Sequence, residues 1–129
     1  MRIEHVAIWV KDIEGMKAFY EKYFAASSNA KYHNPAKNFH SYFLQFQDGC
    51  RLELMHKPAL HENSQPYAAP AYGIVHLAMS VGSKVLVDEL VSQLAADGYQ
   101  VVGQPRTTGD GYYEGVVLDP ENNIIEITE

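Results

Sequence analysis

Four side chains of this 129-residue sequence have the types and spacing to hold a metal ion and move a proton: His5, Glu53, His76 and Glu126. They recur in matched surroundings. Residues 3–10 (Ile-Glu-His-Val-Ala-Ile-Trp-Val) align with residues 74–81 (Ile-Val-His-Leu-Ala-Met-Ser-Val), an offset of 71 from His5 to His76. Residues 51–54 (Arg-Leu-Glu-Leu) align with residues 124–127 (Ile-Ile-Glu-Ile), an offset of 73 from Glu53 to Glu126. One difference in loop length accounts for the drift of two, so the chain reads as two copies of one pattern. Two imidazoles and two carboxylates suit a first-row divalent ion such as Zn²⁺, Ni²⁺, Co²⁺, Mn²⁺ or Fe²⁺. Four protein ligands on a six-coordinate ion leave two positions for water or substrate oxygens, the opening that Lewis-acid catalysis needs.

The elements around these residues must be strands. Side chains alternate faces along a strand. Val6, Ile8 and Val10 therefore share one face and His5 takes the other; Leu52 and Leu54 oppose Glu53. Val75, Leu77, Met79 and Val81 oppose His76, and Ile125 and Ile127 oppose Glu126. A carboxylate inside a sheet is costly unless something pairs it, and two in equivalent places suggest a shared cation. Glu4, Glu114 and Glu129 read as ordinary strand acids. Parity sends His56 to the face opposite Glu53, while His33 and His40 lack repeat partners and His61 falls in a linker.

Each copy continues into a helix. Asp12 is a good N-cap, followed by Ile13, Met16, Phe19, Tyr20, Tyr23 and Phe24 at helical spacing. Ser83 plays that part in the second copy, with Val87, Leu90, Val91 and Leu94 as the stripe and Gly98 as the stop. Both stripes are core. Three strands follow each helix: 28–33, 39–46 and 50–56 in the first copy, 99–104, 112–118 and 123–128 in the second. Turns are expected at Asp48-Gly49 and at Asp119-Pro120-Glu121-Asn122. The spacing thus predicts an α+β fold of two tandem β-α-β-β-β modules, about 1–57 and 73–129, with mainly antiparallel sheet. The linker, 58–72, contains Pro58, Pro66 and Pro70.

The bulk composition sets the frame. With 47% hydrophobic and 20% charged residues the chain can bury a core. A formal net charge of −6 argues against nucleic acid or an anionic membrane as the main partner. No stretch reaches the roughly 18 consecutive apolar residues of a membrane span, and the N-terminus lacks the pattern of a secretion signal. Cys50 stands alone and so forms no intramolecular disulfide, which favours a reducing, cytoplasmic location; it reads as a packed strand residue.

At these residues the chain resembles the vicinal oxygen chelate superfamily, the group of glyoxalase I, bleomycin-resistance proteins and extradiol dioxygenases. The resemblance covers nearly the whole chain and rests on the tandem modules, the paired histidines and the run Asp-Pro-x-x-Asn-x-x-Glu from Asp119 to Glu126. It implies one single domain whose curved sheet surrounds a metal-binding cleft, with the helices on the outer face. The ligand order His-Glu-His-Glu resembles bacterial glyoxalase I. That implies a lyase or isomerase acting on a small molecule, the hemithioacetal of a 2-oxoaldehyde and a thiol, through a metal-stabilised enediolate. Glu126 would be the base, with Glu53 the other candidate, and the protein would be a homodimer. Three positions depart from the pattern: Trp9 stands where an arginine is expected, Lys57 for an asparagine and Tyr72 for a basic residue. All three belong to glutathione recognition, so the resemblance supports the metal more than glutathione as co-substrate. Arg51, Arg106 or Lys57 could replace those contacts, and Trp9, Tyr112 and Tyr113 could line a substrate cleft. Two rival readings remain: another metal-dependent chemistry of the superfamily (epimerisation, thiol transfer to an epoxide, ring cleavage), or a non-catalytic module that sequesters a small ligand.

Overall fold

The computed structural model describes residues 1–61 and 72–129. The chain divides into two compact units, Met1–Asn63 and Ser64–Glu129. Pro66 and Pro70 of the expected linker lie outside the described residues.

The first unit contains β1 (His5–Trp9), α1 (Ile13–Phe24), β2 (Ser27–Ser28), β3 (Tyr32–Asn34), β4 (Phe39–Gln45) and β5 (Arg51–His56). Its sheet runs in the order β1-β5-β4-β2, with β3 also paired to β4. The β1–β5 pair is parallel, the others antiparallel. Asp12 caps α1 as expected: its Oδ1 accepts the Gly15 N–H at 3.0 Å. The buried stripe Ile13, Met16, Phe19, Tyr20 and Tyr23 meets Tyr42 and Leu44 from β4 and Leu52 and Leu54 from β5. Between β4 and β5, Gly49 turns the chain at a φ of 87° that only glycine adopts freely.

The second unit contains β6 (Leu77–Ser80), α2 (Lys84–Ala96), β7 (Val101–Thr107), β8 (Tyr113–Leu118) and β9 (Ile124–Thr128). Its sheet order is β6-β9-β8-β7, with β6 and β9 parallel. Ser83 caps α2 by accepting the Leu86 N–H at 3.3 Å. Val87, Val91 and Leu94 bury against Val117, Ile125 and Ile127. A Cβ on Gly115 would stand 2.8 Å from Cγ2 of Val91, so the approach of α2 to β8 requires glycine there.

The fold class is therefore α+β, as the sequence predicts, and each sheet carries one helix. Two strands differ from expectation. The single strand expected at 28–33 is two short ones, β2 and β3. Between them Asn29 replaces part of the ladder with its side chain, whose Oδ1 accepts the Phe43 N–H at 2.8 Å. The strand expected at 99–104 runs instead from Val101 to Thr107 with two register shifts against β8. Pro105 lies within it, tolerated because β7 is an edge strand. Among the described residues no helix is long and apolar enough to cross a membrane.

Candidate functional site

The repeat seen in the sequence is a repeat in register. In the first unit Ala7 pairs with Glu53 across β1 and β5; in the second, Ala78 pairs with Glu126 across β6 and β9. In both units the histidine precedes that alanine by two residues and so shares the face of the glutamate. His76 does so from just ahead of β6, one residue before the ladder begins.

Each unit thus brings one imidazole to one carboxylate. Nε2 of His5 lies 3.9 Å from Oε2 of Glu53. Nε2 of His76 lies 3.7 Å from Oε2 of Glu126. Both separations exceed a hydrogen bond. Both fall within the roughly 3.0–4.2 Å that separates two donors each about 2.1 Å from one ion. The donor chemistry and spacing of each pair fit a divalent metal. Among the described residues, no group of three or more histidine, cysteine or acidic side chains is gathered to hold a metal ion; what the structure gives is two pairs.

A supporting layer, of which only Arg51 is a candidate from the sequence and for another role, orients the first pair. Nδ1 of His5 hydrogen-bonds the Glu4 carboxylate, which also receives the Arg51 guanidinium. Those two hydrogen bonds, His5 first and Arg51 second, hold the Glu4 carboxyl below the usual carboxylate range. With Nδ1 carrying the hydrogen, the His5 lone pair sits on Nε2, on the side of Glu53. Phe43, directly opposite Glu53 in the ladder, packs edge-to-face on the His5 ring at 5.4 Å, and Arg51 lies over the Phe43 ring at 4.2 Å.

The second pair has a different neighbour. Glu114 on β8 shares the face of Glu126 and is hydrogen-bonded to it. Burial, then the adjoining Glu126 charge, push the Glu114 carboxyl above the usual range, opposed by Arg106 at 3.8 Å. Glu114 therefore holds a proton more tightly than an ordinary carboxylate. Cross-strand position is the signal that could have revealed Glu4 and Glu114: Glu4 precedes the strand partner of Arg51, and Glu114 stands two residue pairs along from Glu126, on the same face.

The remaining candidates divide by face. Trp9 lies on the His5 side of its sheet, 45% exposed, with Phe39 edge-on at 6.1 Å and Lys57 above its ring at 4.9 Å. Arg51 and Arg106 are on the faces of Glu53 and Glu126 respectively, each paired with an acid. Tyr112 is exposed at the end of the turn closed by Thr108 N–H to Tyr112 O. Tyr113 faces α2 instead: its hydroxyl donates to Asp88 at 2.8 Å, and alternation puts it opposite the Glu126 side. Tyr72 is fully exposed, and Cys50 is a half-buried free thiol.

Solved structures share this fold. The chain superposes on a glyoxalase family protein from Enterococcus faecalis with a TM-score of 0.78 at 24% identity, covering 99% of this chain and 97% of that one. A glyoxalase/bleomycin resistance protein/dioxygenase family enzyme from Burkholderia phytofirmans PsJN gives 0.74 at 26% identity, covering 99% and 98%. Glyoxalase I from Zea mays gives 0.79 at 18% identity, and there the chain spans 98% of its own length but only 44% of the maize protein. In sequence, it is 25% identical over 133 residues to the uncharacterized protein YqjT of Bacillus subtilis (strain 168), covering 97% of this chain and 96% of that protein. The model of the Glyoxalase/Bleomycin resistance protein/Dioxygenase superfamily matches residues 2–127, and the chain belongs to that superfamily.

Proposed function

We propose that this protein is a divalent-metal-dependent lyase or isomerase of the glyoxalase I type, with His5, Glu53, His76 and Glu126 as ligands. The observation that carries this reading is the equivalence of the two pairs: each repeat presents one imidazole nitrogen and one carboxylate oxygen less than 4 Å apart on one sheet face. A bound Zn²⁺, Ni²⁺, Co²⁺, Mn²⁺ or Fe²⁺ would supply Lewis-acid stabilisation of the charge that develops on vicinal substrate oxygens. Glu126 takes the proton from one carbon and returns it to its neighbour, with Glu53 as the alternative base. Glu114 assists by holding Glu126 in place through their hydrogen bond. Glu4 and Arg51 fix the tautomer and orientation of His5. We place the two units in one functional domain and the working protein in a cytoplasmic homodimer.

The substrate class follows from the departures at Trp9 and Lys57. Trp9, flanked by Phe39 and capped by Lys57, offers an apolar ring and one cation in place of an arginine. That surface suits a substrate whose non-reacting part is apolar or aromatic and singly anionic better than it suits glutathione. Arg106 and Tyr112 are then secondary contacts.

The test is an assay of metal-reconstituted protein against hemithioacetals formed from several thiols and aromatic or aliphatic 2-oxoaldehydes. Turnover that falls at least 100-fold in Glu126→Gln supports the reading. A sequestering module instead predicts tight ligand binding without turnover, and no loss of affinity in Glu126→Gln. Mixing His5→Ala with Glu126→Gln chains tells how the ligands are shared: recovered activity means that different protomers contribute them.

A further inference from the structure

The sheet face that carries His5 and Glu53 continues past them as an aromatic strip. Trp9 on β1 pairs with Met55 on β5, Met55 with Ser41 on β4, and Ser41 with Tyr32 on β3. Direct cross-strand partners project on one face, so these four form a row across four strands. The adjoining row holds Ala7, Glu53 and Phe43, likewise direct partners and two residues away along each strand. Alternation therefore gives both rows the face of His5. Phe39, two residues from Ser41 on β4, stands edge-on to Trp9 and to Tyr32, its centroid 6.1 Å from each ring.

Three features make this strip a binding surface. Trp9 and Tyr32 are exposed, and Met55 and Phe39 are half-buried, so three rings and a thioether adjoin without being closed into the core. Clustered apolar side chains at a surface mark ligand grooves, and rings and thioethers take a flat aromatic group on face or edge. The strip also starts one row from Glu53, roughly 7 Å along the strands. Finally, it ends in a cation. Lys57 follows the last residue of β5, and its Nζ lies 4.9 Å from the centre of the Trp9 ring. Four strand residues separate Lys57 from Glu53, which puts the ammonium on the order of 10 Å from the metal donors. Arg51 and Arg106 are each engaged with an acid.

We infer that Trp9, Met55, Phe39 and Tyr32 form an aryl subsite with Lys57 at its far end, and that its occupant is a planar aromatic acid. Such a molecule presents vicinal oxygens to the His5 and Glu53 end, lays one ring along the strip and brings a para carboxylate to Lys57. The placing of the vicinal oxygens rests on the lyase reading above. An ortho carboxylate would turn back toward the Glu53 charge and miss Lys57. An aliphatic substrate would leave the rings uncovered. Tyr32 is then a specificity residue supplied by β3, at the opposite end of the row from Trp9.

Trp9 is the only tryptophan of the chain, so its fluorescence reports binding without any turnover. Full-length protein is titrated with 4-carboxybenzohydroxamate, which carries vicinal oxygens but cannot react, and with its 2-carboxy isomer and benzohydroxamate. Acetohydroxamate is followed by competition. Each titration is run with Zn²⁺ and again with a chelator: the Zn²⁺ dependence reports on the metal, and the ratio between isomers on the subsite. The expected result is saturable quenching, with the 4-carboxy compound tighter than either other aryl probe by about two- to fivefold, the range of an exposed ion pair. Lys57→Gln removes that advantage. Tyr32→Ala weakens the aryl probes about threefold and leaves acetohydroxamate unchanged. Both positions are exposed, and circular dichroism confirms that the variants are folded. Absent quenching, equal affinity for the two isomers, or an advantage that survives Lys57→Gln overturns the subsite, whatever the protein turns over. Turnover that persists in Glu126→Gln overturns the lyase reading and leaves these binding ratios as they stand.

Discussion

Glu4 and Asp119 show how much depends on acids that are not themselves ligands. Glu4 joins Arg51 to His5, so losing it frees the imidazole to rotate and to change tautomer. Outer partners of this kind are worth roughly 10–100-fold in metal affinity. Glu4→Gln is therefore expected to weaken divalent-metal binding by about tenfold or more with little change in thermal stability, measured by competition with a chromophoric chelator. Asp119 is nearly buried, and its carboxylate accepts the backbone N–H groups of Glu121 and Asn123 and the Asn123 side-chain amide, all within 2.9 Å. Asp119→Ala leaves those donors unpaired next to β9. It should cost roughly 3 kcal/mol in urea unfolding, and it should disturb Glu126 through the turn that precedes it. The four proposed ligands could be picked from the sequence because they stand in matching places of the two repeats, each opposite an apolar alternation. Glu4 and Glu114 could not, since their roles depend on which residue lies across the ladder, and cross-strand register is not written in local pattern.

At the level of elements, the two helices and the strands that carry the repeat are legible because caps and periodicity agree. Asp12 and Ser83 cap where expected, and both buried stripes face their sheets. The strands that escaped are those where a side chain or a proline interrupts the ladder: Asn29 between β2 and β3, and Pro105 within β7. The sequence points Tyr113 toward the cleft, and alternation from buried Val117 sends it to Asp88 on α2 instead. Close packing between α2 and β8 gives a sharper test. Gly115→Ala places a Cβ 2.8 Å from Val91 and 3.3 Å from Pro105, and should destabilise the second unit by about 1–3 kcal/mol. Gly109→Ala, with open space around the added carbon, should be neutral within error. In the first unit, α1 is tied to β4 by Glu14, which accepts from Tyr42 at 3.2 Å and from Lys31 at 2.8 Å. The Lys31 hydrogen bond, ahead of other causes, lowers the Glu14 carboxyl from 4.5. A depressed folded-state value means stability present above pH 4.5 and lost as pH falls through that lower value. Glu14 is largely exposed, so the contribution is a few tenths of a kcal/mol. Glu14→Gln should flatten that acid limb of the melting-temperature profile by about a degree and leave the neutral region nearly unchanged.

For the molecule as a whole, duplication is the organising fact. The offset of 71 between the histidines and 73 between the glutamates becomes, in three dimensions, the same alanine–glutamate register in two sheets of parallel edge pairing. Superfamily membership follows from the match over residues 2–127 and says nothing by itself about substrate. Substrate must be read from the departures, of which Trp9 with Phe39 and Lys57 is the most developed. The central claim is that His5, Glu53, His76 and Glu126 are metal ligands, and the most direct measurement is metal stoichiometry. Protein purified without chelators is assayed by elemental analysis beside His5→Ala and Glu126→Gln. The account predicts about one divalent ion per chain in the wild type, and loss of most of it in either variant, each of which disables a different pair. Wild-type protein that binds no first-row ion when one is offered, or variants that retain the full complement, would contradict it.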